Sequence, residues 1–191
     1  MTGGDNSGAN LSARLDDLFL LAMMGTIAAI LTAAMVFQYH GSEIPCPLCL
    51  LQRVAMFGVC FGIILHFRQG TSMRNTGLSM LFAMFLLIVA ARQTLLDIYP
   101  RPGHAYVGSA VFGLHMPVWS VIIALAILLA FTLRLACLGE VRQSAPRPAV
   151  LQRCADVLGL YVIALCATNL ISVILQCGLD ACHTTGYRLW H

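Results

Sequence analysis

Five long apolar runs dominate this chain and fix most of what it can become. Leu18 to Phe37 is twenty residues without a charge, and Cys46 to Phe67 is twenty-two interrupted only by Arg53. Thr76 to Ala91 adds sixteen and continues past Arg92 towards Ile98; Met116 to Leu133 adds eighteen and Val157 to Gln176 twenty. A helix needs ~20 residues to cross the hydrocarbon layer. Within that layer the backbone must satisfy its own hydrogen bonds, so each run is expected to be a helix. The expected fold is all-α: a polytopic membrane bundle of about five transmembrane helices around a four-helix-bundle core.

Composition agrees. The 191 residues are 59% hydrophobic and 10% charged, where a soluble domain carries about a quarter charged residues. All eleven basic residues are arginine and they are scattered, which gives no basic cluster for nucleic acid. The expected layout is one unit: an N-terminal tail over 1–17, a transmembrane bundle over 18–176 and a C-terminal tail over 177–191. The first run reads as a retained helix rather than a leader, because it is long for a signal core and Asp5, Asp16 and Asp17 precede it against Arg14 alone.

Five spans place the termini on opposite sides. With the N-terminus inside, seven arginines (Arg14, Arg68, Arg74, Arg134, Arg142, Arg147, Arg153) fall inside and four (Arg53, Arg92, Arg101, Arg188) outside. The excess favours a cytoplasmic N-terminus and an external C-terminus. Tyr39, Tyr99, Tyr106, Tyr187, Trp119 and Trp190 gather at the outer ends, as interfacial aromatics do; Tyr161 does not. The stretch "GEVRQSAPRPAVLQR" reads as an extended inner linker, and "YPRPGHAYVGS" argues against a regular helix between the third and fourth spans.

The eight cysteines divide by side. Cys46, Cys49, Cys177 and Cys182 lie outside, as a C-x2-C and a C-x4-C pair. Disulfides persist outside the cytosol, so these four are the redox candidates. Cys60, Cys137, Cys154 and Cys166 read as small, buried, reduced hydrophobes. In "PCPLCLLQR" a helix should begin near Cys46, since proline suits a first turn. The positive end of that helix favours a thiolate, the species that attacks disulfides. Arg53, four residues past Cys49 and on the same face, is costly in a membrane helix and is a functional residue by default. It can steady the Cys49 thiolate or donate to a quinone carbonyl. Cys177 falls where the last helix should stop, with Gly178 as a cap.

Two other readings use the same residues. The four outer cysteines with His40 and His183 could form a soft copper or zinc site. Alternatively, both cysteine pairs could be inert structural bridges.

The motifs also resemble a known family. "PCPLCLLQR" is similar to the quinone-proximal motif of the disulfide-bond-formation protein B (DsbB) family of bacterial inner-membrane oxidoreductases. "LLDIYP" and "FGLHMPVW" resemble the flanks of its second periplasmic loop, and "CATNLISVILQCGLDAC" the end of its five-span members, so that the likeness runs from about Leu18 to Trp190. The resemblance implies a periplasmic DsbA-like thiol oxidase as partner, ubiquinone or menaquinone as cofactor, and no metal. It implies catalytic roles for Cys46, Cys49, Cys177 and Cys182, with Arg53, Arg92 and Gln93 binding the quinone. Four-span members carry their second pair between the third and fourth spans. Thr94–His115 has no cysteine here, so the resemblance to the five-span branch implies that Cys177 and Cys182 take its place.

Overall fold

The computed structural model describes residues 5–40, 46–98, 110–111, 113–139 and 147–177. They form five helices: α1 (Asp5–His40), α2 (Pro47–Gln69), α3 (Met73–Ile98), α4 (Met116–Leu138) and α5 (Ala149–Cys177). All five are long and apolar enough to cross a membrane. A two-strand hairpin, β1 (Ala110–Val111) and β2 (Leu114–His115), precedes α4, pairing Ala110 with His115 and Val111 with Leu114.

The helices outrun the apolar runs that announce them. α1 has 36 residues, ~54 Å at ~1.5 Å per residue, against ~30 Å of hydrocarbon. α5 begins at Ala149, so the last third of the expected inner linker, Ala149 to Arg153, is helical instead. Pro148 explains the boundary: its carbonyl accepts the N–H of Gln152 at 3.1 Å, and proline is tolerated at a helix start.

α2 is the central element. Ala55, Val59, Cys60 and Ile63 are essentially sealed, and meet Leu20, Met24, Ile27 and Leu31 of α1 and Ala83 and Leu86 of α3. Phe131 of α4 and Ala155 and Val162 of α5 complete a core drawn from all five helices. α3 approaches α2 closely at Gly62. A methyl group there would lie 2.8 Å from the carbonyl oxygen of Asn75 and 2.9 Å from the amide of Ser79, so only glycine fits. Just beyond, Ser79 donates to the carbonyl of Val59 at 3.0 Å. The turn into α3 is made by Gly70, whose φ of 93° favours glycine and whose N–H caps the carbonyl of His66 at 3.0 Å.

At the end away from Cys46 the helices are tied by buried charge. Arg134 of α4 grips Asp16 through two nitrogens, Nε to Oδ1 and Nη2 to Oδ2 (2.9 Å), and also donates to Thr76 at 2.9 Å. Arg147 bonds both oxygens of Asp17 at 3.1 and 3.0 Å, donates to the carbonyls of Phe67 and His66 at 2.8 and 3.2 Å, and lies over the Phe67 ring. His66 Nε2 sits 3.7 Å from Asp16 and 3.6 Å from Asp17. These two carboxylates and His66 bring ligand-type atoms within 4.8 Å of one another. Each carboxylate is nevertheless neutralised by a guanidinium, which balances the cluster as an ion-pair knot.

Candidate active site

The site is built on the first turn of α2. Cys46 is its N-cap residue, in extended backbone conformation, and Pro47 opens the helix. The orphan N–H groups of a helix start need acceptors. Here Sγ of Cys46 takes the N–H of Cys49 at 3.1 Å, a sulfur doing the work of the usual hydroxyl or carboxylate. Cys46 and Cys49 are joined as a disulfide, with Cα atoms 5.1 Å apart, as three-residue spacing across a helix start allows.

Gln93, on the last full turns of α3, is the disulfide's neighbour. Its Nε2 lies 3.4 Å from each sulfur, and its Oε1 accepts from Nε2 of Gln52 at 2.8 Å. Gln52 thereby fixes which way the Gln93 amide faces and presents N–H to the sulfurs. Sγ of Cys46 receives two donors, the Cys49 amide and Gln93, at the positive end of α2. Both favour a negative sulfur there. Arg92, expected beside Gln93 at the site, is exposed on the next face of α3.

Arg53 is 8% exposed. Nη1 donates to Gln38 at 2.6 Å and to Asn169 at 3.4 Å, with Met35 Sδ at 3.6 Å; Nη2 donates to the Ala34 carbonyl at 3.1 Å. None of these four acceptors is charged. The guanidinium thus reaches α1 and α5, whereas Sγ of Cys49 faces Gln93 on α3. The two residues share a helix face but diverge at their tips.

Between α1 and α5 runs an open apolar groove of about 580 Å³, lined by Gly25, Ala29, Ala33, Phe37, Leu158 and Tyr161 among others and not by Arg53. Across it Thr32 and Tyr161 share a 2.7 Å hydrogen bond, which gives the one displaced tyrosine a polar partner in mid-span. Nearer the Cys46 end, Tyr39 bonds Ser172.

Cys177 ends α5, and Cys182, Gly178, His40's expected metal partner His183 and the loop motif "YPRPGHAYVGS" up to Ser109 lie outside the described residues. The remaining four cysteines are unpaired. Only Cys60 is buried, however; Cys137, Cys154 and Cys166 are exposed, contrary to expectation, because they fall on outward faces of α4 and α5. Gln38, Gln52 and Asn169 were invisible to motif reading. The signal was there in part: each is an uncharged polar residue inside or at the edge of a membrane-length run, where polarity is costly unless partnered.

A Cys-x2-Cys disulfide capping a helix, inside a bundle of five membrane-length helices, defines a membrane thiol–disulfide protein. Residues 16–134, well over half the chain, match the family described as disulfide bond formation protein DsbB. The chain belongs to that family, and the match begins and ends on the buried Asp16–Arg134 pair. It is 37% identical over 86 residues to the disulfide bond formation protein B of Azoarcus sp. (strain BH72), covering 42% of this chain and 51% of that one, so it spans about half of that relative. No solved structure matches.

Proposed function

We propose that the protein is a thiol–quinone oxidoreductase of the bacterial inner membrane. It reoxidises a periplasmic DsbA-like dithiol oxidase and passes the electrons to a membrane quinone. The N-terminus is cytoplasmic and the Cys46–Cys49 end periplasmic, the orientation supported by the arginine distribution. The observation that carries the reading is the Cys46–Cys49 disulfide, held by Gln93 at the start of α2 with buried Arg53 one turn further in.

The residues fit a quinone: Arg53 supplies buried N–H donors for a carbonyl oxygen, and the groove between α1 and α5 is apolar enough for an isoprenoid chain. When bound, the quinone takes up the two electrons and two protons that leave a dithiol as its disulfide closes. On the protein side, a partner thiolate attacks the Cys177–Cys182 disulfide, and the partner's second thiol resolves the mixed disulfide. The partner leaves oxidised and Cys177 and Cys182 leave as thiols. That pair then exchanges with Cys46–Cys49, so that its own bridge re-forms and Cys46 and Cys49 become the dithiol. Gln93 and the α2 terminus hold the resulting thiolate character at the sulfurs, from which the electrons would pass to the quinone.

Alkylation of the four cysteines in detergent tests this, before and after addition of reduced DsbA-like protein with and without quinone. Turnover of Cys46–Cys49 only with quinone is the expected result. Cys177→Ala should halt partner oxidation while a small dithiol still drives quinone reduction. Bridges that never cycle, or thiols that come out reduced and metal-loaded, would overturn the reading.

A further inference from the structure

Between the cysteine pair and Arg53, α2 carries one more polar residue, Gln52, which the proposed function does not use. It is 5% exposed, whereas Leu51 and Val54 nearby face outward. Packing alone would be served by leucine there, and an amide within a membrane-length helix is costly to bury unless it finds a partner. Its partner is Gln93 of α3, also 5% exposed, whose Oε1 accepts from Gln52 Nε2 at 2.8 Å.

Gln93 brings both ends of its amide near the bridge. Nε2 lies 3.4 Å from each sulfur, and Oε1 lies 3.9 Å from Sγ of Cys49. A half-turn about the last side-chain bond would exchange them, because an amide donates at one end and accepts at the other. The sulfurs decide little between the two settings: sulfur is a weak acceptor, and a disulfide has no proton to donate. Gln52 decides it, by placing a donor on Oε1. The consequence falls on the reduced form, since an N–H steadies a thiolate and a carbonyl oxygen repels one.

We infer that Gln52 is a positioning residue that sets how readily the Cys46–Cys49 bridge is reduced, acting through Gln93 rather than on the sulfurs themselves. It holds the Gln93 donor on the sulfurs and so favours the reduced pair. The inference rests on the reading of Cys46–Cys49 as a redox pair. It adds that the residue at position 52 tunes that pair.

The experiment equilibrates the full chain in detergent with glutathione buffers, and reads the state of Cys46 and Cys49 by alkylation and peptide mass beside a thermal melt. Two glutathione thiols become one glutathione disulfide as the bridge opens to two thiols, so two electrons and two protons pass to the protein. Gln52→Glu, once ionised, offers only acceptors and should turn the Gln93 amide so that its oxygen faces the sulfurs. The equilibrium constant for reduction is expected to fall about fivefold or more, the scale of one hydrogen bond. In a Gln93→Leu background the same substitution should change it by less than about twofold, because the amide it acts through is gone. Gln52→Met removes the donor without adding charge; it should lower the constant less, and serves if the Gln52→Glu protein folds poorly. An equal fall in both backgrounds means that the new carboxylate acts on the sulfurs directly, and the positioning role is wrong. A purely structural Gln52 predicts a lower melt in either variant with the reduction equilibrium unmoved, which overturns the role as well. If the parent's bridge does not exchange with glutathione at all, the redox reading itself fails and the inference falls with it.

Discussion

Replacing Gln93 with leucine should make the Cys46–Cys49 disulfide harder to reduce. Leucine keeps most of the volume but removes the Nε2 donor that lies 3.4 Å from both sulfurs. A neutral hydrogen bond contributes ~0.5–1.5 kcal/mol net, and one to a charged group ~1.5–3 kcal/mol. The donor therefore favours the thiolate of the reduced form over the disulfide by about 1 kcal/mol, with sulfur a weak acceptor in either state. For a two-electron couple ~30 mV corresponds to ~1.4 kcal/mol, so the reduction potential should fall by roughly 20 mV. The same change strands Nε2 of Gln52, which now bonds Gln93 Oε1 at 2.8 Å. An unsatisfied buried donor costs ~1–3 kcal/mol, so the variant should also melt earlier. The assay is equilibration against glutathione buffers, followed by alkylation and a gel or mass shift, run beside a thermal melt. A lower melting temperature with an unchanged or raised potential would falsify the thiolate-stabilising role and leave Gln93 as a packing residue.

Gly62→Ala should destabilise the bundle by ~1–3 kcal/mol, because the new methyl meets α3 backbone at 2.8 and 2.9 Å and backbone cannot swing aside; a melt no lower than the parent would count against the close α2–α3 approach. Asp16→Asn should cost ~3–5 kcal/mol by leaving Arg134 buried with its carboxylate gone, and the pair Asp16→Asn with Arg134→Met should recover much of that loss in the same assay. An impermeant maleimide should label Cys137 and Cys154, both exposed on the proposed inner side, only after the membrane is opened; labelling in intact spheroplasts would reverse the orientation.

The five helices were legible because lipid makes hydropathy a strong signal, and the start of α2 because Pro47 marks a first turn. Helix ends were less so. Ala149 to Arg153 belongs to the expected linker yet winds into helix once past Pro148, since nothing in that segment opposes it. The cysteine pair at the α2 start was readable from spacing, as was the buried Arg53. The partners of that arginine were not: Gln38 lies 15 residues before it and Asn169 116 residues after it. Which helix faces which is a tertiary fact, and one sequence carries little of it. For the same reason Arg92 and Gln93 looked alike as neighbours, although consecutive residues of a helix point about 100° apart and only Gln93 turns inward.

The knot at the far end of the bundle also sets a timetable for synthesis. Asp16 and Asp17 leave the ribosome within the first helix, but their guanidinium partners lie 118 and 130 residues later, on α4 and just ahead of α5. Chains grow at ~5–20 residues per second, so for some 6–26 seconds two carboxylates wait at the membrane edge without their partners. Until then α1 is tied to α2 by apolar contacts and, at its other end, by the hydrogen bonds of Arg53 to Gln38 and the Ala34 carbonyl. The first helix to enter is therefore among the last to be locked, and the lock closes only when the ribosome has finished with the linker before α5.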